Sequence, residues 1–313
     1  MEPDLVRTSE GMSLVTSLNI DVVPRVLSIA GTDPSGGAGT AADLKSITAA
    51  GGYGMAVVTS LVAQNTHGVR AIHTPPASFL TAQLQAVSDD VTIDAIKTGM
   101  LGTAEIIETV SSWLEDHPPQ VLVVDPVMVA TSGDRLVDQH AEQAMVEFCS
   151  RATVVTPNIG ELAVLTGSDP AANESEAIAQ ASGWAAATGV SVIVKTGHLV
   201  SRWATNTWVG PEGLRTSAYA TRLDSTSTHG TGCSLSSALA TRLGAGDEPT
   251  TALSWATAWL HEAIKHGEAL GVGSGQGPVD HSYRARRCMI ETPPASPDNR
   301  PETQSFALAK DEI

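Results

Sequence analysis

Six short runs of mostly apolar, β-branched-rich residues recur along this chain: Arg25–Ala30, Met55–Leu61, Thr92–Lys97, Val121–Asp125, Thr153–Thr156 and Ser191–Thr196. Alanine-rich stretches of helical pattern separate nearly every pair. Runs that are apolar throughout, rather than alternating with polar residues, suit strands buried on both faces. Joined by crossovers of a dozen or more residues, they predict an α/β fold with a mostly parallel sheet and helices on both faces. Ligands of such sheets gather at the carboxyl ends of the strands. Two weaker runs, Ala204–Val209 and Gly213–Ala218, flank Gly210-Pro211-Glu212 and predict an antiparallel hairpin at the sheet edge.

No internal repeat and no interior Pro- or Ser-rich linker divides the 313 residues, so a single domain over residues 25–284 is expected. Residues 1–24 and 285–313, the latter with Pro293, Pro294, Pro297 and Pro301, are expected to be flexible tails. A chain of this length buries a large core without disulfides or metal. Its three cysteines, Cys149, Cys233 and Cys288, are too few and scattered for a disulfide framework or a zinc site. The net charge of −16 argues against nucleic acid as a partner. With no secretory h-region and no run near ~20 apolar residues, a cytoplasmic protein without membrane contact is expected.

The segment Thr228-His229-Gly230-Thr231-Gly232-Cys233-Ser234 runs from a glycine-punctuated turn into a small-residue helix, Leu235 to Ala240. Helix N-termini offer unsatisfied N–H groups and a positive dipole end, so this reads as an anion site. A cysteine in the first helical turn has its thiolate favoured, which makes Cys233 a candidate base; a buried core cysteine is the alternative. After the first strand, Gly31-Thr32-Asp33-Pro34-Ser35-Gly36-Gly37-Ala38-Gly39 opens another helix. It is a ligand-binding loop or only a tight strand-to-helix turn, and it lacks both the downstream acid of a dinucleotide fingerprint and the Gly-Lys-Ser/Thr of a Walker loop.

Gln64 and Asn65 fall at the carboxyl tip of the second run, where amides read the donors and acceptors of a heterocycle. Pro157-Asn158-x-x-Glu161 follows the fifth run, either as a helix cap with its capping acid or as a pair orienting a magnesium water or phosphate. His261 and His266 are five apart, share no helical face, and are expected to be exposed to solvent.

Taken together, the loop at 30–39, Ala42-Asp43-Leu44-Lys45, Leu61-Val62-Ala63-Gln64-Asn65-Thr66, Lys97-Thr98-Gly99-Met100-Leu101, Asp125-Pro126-Val127-Met128, Thr156-Pro157-Asn158, Thr228 to Cys233 and Gly275-x-Gly277-Pro278-Val279-x-His281 resemble the hydroxymethylpyrimidine and phosphomethylpyrimidine kinases of thiamin biosynthesis, in the ribokinase-like superfamily. The resemblance implies a three-layer αβα ribokinase-like domain, usually homodimeric. Its implied reaction uses Mg-ATP twice, first on the alcohol of 4-amino-5-hydroxymethyl-2-methylpyrimidine and then on the monophosphate. A monovalent cation is a further candidate cofactor.

By the same resemblance, Asp43, Gln64, Met100, Val62, Val127 and Gly31 contact the pyrimidine, and Gly230, Thr231, Gly232 and Cys233 form the catalytic anion hole. Lys195, Asn158 and Thr228 lie toward the nucleotide; Glu161, Asn158 and Asp125 lie toward magnesium. The competing readings are a pyridoxine or pyridoxal kinase, a bifunctional enzyme, and a pyrimidine-binding protein without turnover. Thr98 stands where the family commonly has Ile, and Thr196 where Gly is usual, beside the expected nucleotide site.

Overall fold

The computed structural model describes residues 23–128, 139–197 and 201–291. The chain begins with β1 (Arg25–Ala30), α1 (Gly39–Ala49), β2 (Tyr53–Val58), β3 (Leu61–Asn65), β4 (Gly68–His73) and α2 (Ala77–Ser88). It continues through β5 (Ala95–Thr98), α3 (Ala104–Asp116), β6 (Val121–Val124), α4 (Gln139–Cys149), β7 (Val154–Val155), α5 (Ile159–Thr166), α6 (Glu174–Thr188) and β8 (Ser191–Lys195). It ends with β9 (Trp203–Val209), β10 (Arg215–Thr221), α7 (Thr231–Gly244), α8 (Pro249–Gly267) and α9 (Tyr283–Glu291).

Eight strands form one sheet in the order β10-β9-β8-β7-β6-β5-β1-β2. The strands from β2 to β8 pair in parallel, while β9 and β10 form the expected antiparallel hairpin at the edge. Because successive strand residues point to opposite faces, the apolar runs feed two cores. Leu27, Ile29, Ile96, Leu122, Val124, Val192 and Val194 face α2 to α6 in one. Val26, Ala95, Val123 and Ile193 face α1, α7 and α8 in the other, against Ile47, Leu239 and Leu253. Burying each such Leu or Ile side chain contributes roughly 1.5–3 kcal/mol, so both layers are held by the same strands. This is the three-layer αβα, ribokinase-like arrangement.

Two expectations need correction. The run Met55–Leu61 is not one strand: β2 ends at Val58, and the chain peels from the sheet at Ser60, whose carbonyl accepts Thr32 N–H at 2.9 Å. The next residues form β3, which pairs only with β4 in a separate two-stranded sheet. Gln64 and Asn65 therefore sit on this hairpin, not at the tip of a sheet strand. The helix α9 also crosses the boundary expected at residue 284, tied back by Arg284 to Glu262 at 2.8 Å and by Arg286 to Asp280. Of the expected tails at 1–24 and 285–313, residues 1–22 and 292–313 lie outside the described residues. Among the described residues no helix is long and apolar enough to cross a membrane.

Candidate active site

From β1 the chain moves outward to β2, then returns on the other side of β1 to β5. The loops after β1 and β5 thus diverge and leave a crevice at their carboxyl ends, the usual ligand position of an open α/β sheet. A cavity of about 1000 Å³ occupies it. Gly31, Val62, Gln64, Met100 and Val127 line one part, while Asp125, Asn158, Glu161, Lys195 and the Thr228 to Cys233 segment line the rest. Every site residue expected from sequence is on this wall except Asp43 and Asn65.

The anion segment is built by one close approach. Gly230 is the N-cap of α7 with φ +78°, and a Cβ there would strike the carbonyl oxygen of Gly37. Only glycine lets the α7 turn seat against the loop after β1. The first-turn N–H groups of α7 lack intrahelical carbonyls; that of Thr231 bonds Thr228 O at 3.4 Å, and Gly232 and Cys233 line the cavity. A Cβ at Gly232 would lie 3.5 Å from Asp125 Oδ2 and 3.7 Å from Lys195 Nζ. Lys195 Nζ stands 3.4 Å from Asp125 Oδ1, so cation, carboxylate and helix terminus converge.

Cys233 is half-buried in this turn. Burial pushes its thiol up to about 11, outweighing the Lys97 ammonium and the Gly39 N–H, while Asp43 and Asp125 push the same way. The thiolate expected from helix position is therefore not favoured: the terminal donors do not offset desolvation.

Asp43 is the second correction. It is fully buried behind the wall, where Oδ1 accepts from Lys97 Nζ and Ser237 Oγ at 2.8 Å each and Oδ2 from Ser28 Oγ at 2.6 Å. With both oxygens engaged on α1's inner face, it cannot reach into the cavity. Burial opposes the charge on Lys97, but Asp43, Cys233 and Asp125 hold the ammonium above its usual range.

Asn158 and Glu161 form a complete capping box at the start of α5: Asn158 Oδ1 accepts Glu161 N–H at 2.9 Å, and Glu161 Oε2 accepts Asn158 N–H at 2.8 Å. Both residues nevertheless face the cavity. Burial pushes Glu161 up to about 7, with Lys195 opposing and Asp125 reinforcing. Among the described residues no cluster of three or more His, Cys, Asp or Glu side chains is arranged to hold a metal unaided. The oxygen donors Asp125, Glu161 and Asn158 suit a magnesium ion that takes its remaining ligands from water and phosphate.

Thr196 does not intrude. Its hydroxyl donates to Thr205 O at 3.1 Å and accepts Thr205 N–H at 3.0 Å, beside the main-chain bond from Thr196 N–H to Thr205 O at 2.9 Å where β8 meets β9. Asn65 turns from the cavity to accept His67 N–H at 2.9 Å.

Sequence reasoning missed three wall residues. Asp33 and His229 form a 2.8 Å pair across the cavity mouth. Against burial, the hydrogen bonds from His229 and Ser35 hold the Asp33 carboxyl well below its usual range. His261 is half-buried on the wall, with Nε2 3.0 Å from Thr221 O. The position of Asp33 inside a glycine loop was the available signal; His261 faces β10 across a contact that no local pattern encodes.

The phosphomethylpyrimidine kinase family profile matches residues 33–280. The chain is 57% identical over 270 residues to the thiamine biosynthesis multifunctional protein ThiED of Corynebacterium glutamicum, covering 86% of this chain but only 35% of that protein. It is 42% identical over 259 residues to the hydroxymethylpyrimidine/phosphomethylpyrimidine kinase of Rhizobium meliloti, covering 82% of this chain and 97% of that one. In three dimensions it resembles the pyridoxal kinase of Bacillus subtilis, solved as an ADP complex, with a TM-score of 0.76, 30% identity and coverage of 85% and 100%. The crevice, the anion segment and these similarities converge on one assignment: the chain belongs to the phosphomethylpyrimidine kinase family.

Proposed function

We propose that this protein phosphorylates 4-amino-5-hydroxymethyl-2-methylpyrimidine with Mg-ATP and then phosphorylates the monophosphate to the diphosphate. The observation that carries the reading is the single cavity joining a small apolar pocket with one amide, Gln64, to a helix N-terminus flanked by Lys195 and Asp125. The pocket suits a flat heterocycle; the other end suits phosphates.

Bound Mg-ATP supplies the phosphoryl group and neutralises charge on it. Asp125, Glu161 and Asn158 would hold the cation, and Lys195 would pair with phosphate oxygens. The N–H groups of Gly232 and Cys233 would face the charge that develops in transfer, and such fixed donors contribute more to phosphoryl transfer than base strength does. Val62, Val127 and Met100 would clamp the ring and exclude water. Cys233 holds a proton at Sγ at neutral pH, so it takes the alcohol's proton only after releasing its own. The second step starts from a phosphate oxygen already charged and needs no such release.

We further propose a cytoplasmic homodimer, tested by sedimentation of the purified chain. A second reading, pyridoxal phosphorylation, draws on the likeness to the Bacillus subtilis enzyme. Both are tested by incubating the protein with Mg-ATP and equal amounts of hydroxymethylpyrimidine and pyridoxal and following products by mass spectrometry. Successive pyrimidine mono- and diphosphates are expected; pyridoxal phosphate alone would transfer the assignment, and no product from either would leave a binding protein.

A further inference from the structure

The pair Asp33 and His229 does more than close the cavity mouth. Asp33 is buried, and every contact its oxygens make is with a donor: Oδ1 accepts Ser35 N–H at 2.8 Å and Ser35 Oγ at 2.7 Å. Oδ2 accepts Gly37 N–H at 3.1 Å, Ala38 N–H at 2.8 Å and His229 Nε2 at 2.8 Å. A carboxylate so surrounded only accepts, so the proton on His229 must sit on Nε2. The imidazole lies flush on Gly37, where a Cβ would strike its Cδ2.

Gln64 Nε2 lies 3.4 Å from that same Nε2. With the proton on His229 Nε2, this sets two donors against each other. The amide oxygen and nitrogen are nearly isosteric, and which one faces a neighbour follows from the hydrogen-bond network. The oxygen therefore belongs beside His229, sharing the Nε2 proton with Asp33.

We infer that Asp33 and His229 are positioning residues that turn the Gln64 amide so that its NH2 group faces the cavity, which makes the site select heterocycles offering an unprotonated ring nitrogen there. The inference rests on the heterocycle reading of the cavity. It names which half of the amide does the reading and which residues set it.

The test compares kcat/KM for hydroxymethylpyrimidine with that for two analogues in which each ring nitrogen in turn is replaced by C–H. In the wild-type protein one analogue should lose about ten-fold or more, the cost of leaving a buried donor unpaired. In His229→Ala the amide is free to turn, and this discrimination should fall to about two-fold or less. His229→Gln, which returns an N–H toward Asp33, should restore most of it. If His229→Ala does not fold, His229→Asn, too short to reach Asp33 and Gln64 together, serves in its place.

A merely structural role would lower rates on all three compounds alike and leave the ratios intact, which would overturn the inference. So would a wild-type protein indifferent to both replacements. A wild-type protein that phosphorylates neither the pyrimidine nor pyridoxal would instead remove the heterocycle reading itself, and the inference with it.

Discussion

A thiol held near 11 has only about one part in ten thousand as thiolate at pH 7, and this sets how Cys233 enters the reaction. Because the base form appears on losing a proton, alcohol phosphorylation should accelerate about ten-fold per pH unit from 7 to 9, while monophosphate phosphorylation stays nearly flat. Cys233→Ala should abolish the slope and slow the first step by about 10²–10⁴, with a smaller effect on the second. Single-turnover rates on both substrates across that range decide it; equal losses in both would refute the role. Thr98 makes a separate point about stability. Its hydroxyl is fully buried in β5 and has no hydrogen-bond partner among the described residues. Replacing an unpaired hydroxyl with a methyl of the same shape removes a desolvation cost, so Thr98→Val should stabilise the protein by about 1 kcal/mol. The urea midpoint measures this, and a lower midpoint would contradict it. Asp43 marks the limit of residue-level reading: the motif around it was visible, yet its enclosure by Ser28, Lys97 and Ser237 comes from three elements distant in sequence.

Elements were legible where a run of apolar residues ended in a turn signal. β1 and the β9–β10 hairpin lie close to the ranges read from the sequence, because both cores draw on alternate residues of each strand. The β3–β4 hairpin was hidden because Thr59, Ser60 and Leu61 continue the β pattern of the preceding strand without a glycine or proline to mark the break. The departure of the chain is decided by tertiary bonds, Thr59 N–H to Ala30 O and Thr32 N–H to Ser60 O, that local pattern does not contain. Loop interlock at the start of α7 is the element most sensitive to change. Gly230→Ala forces a left-handed residue with a side chain into the Gly37 carbonyl, so α7 must retreat from the first loop. Phosphorylation should fall by at least 10²-fold, on the scale of losing oxyanion donors, while far-ultraviolet circular dichroism keeps its shape. Undiminished turnover would mean the interlock is not needed.

At the scale of the whole molecule, the −16 charge makes a cation partner necessary for bringing triphosphate into an acidic protein. Nucleotide with magnesium should raise the melting temperature, since a ligand at 100 times its Kd adds about 2.7 kcal/mol. Chelating the magnesium should remove most of that shift, and substituting Glu161→Gln should remove part of it even with the metal present. A shift that survives chelation would show nucleotide binding without the cation.

The C-terminal stretch before α9 has a further consequence. Gln276 bonds Thr66 O at 2.8 Å and Thr228 Oγ1 at 2.6 Å, and His281 Nε2 lies 2.9 Å from Ser234 Oγ on α7. One late segment thus ties the hairpin that carries Gln64 to the helix that carries Cys233. During synthesis, the β3–β4 hairpin leaves the ribosome some two hundred and ten residues before this segment does, on the order of 10–40 seconds at typical elongation rates. For that interval the nascent sheet exists without a finished cavity. The cavity is complete only once residues 276–281 have emerged.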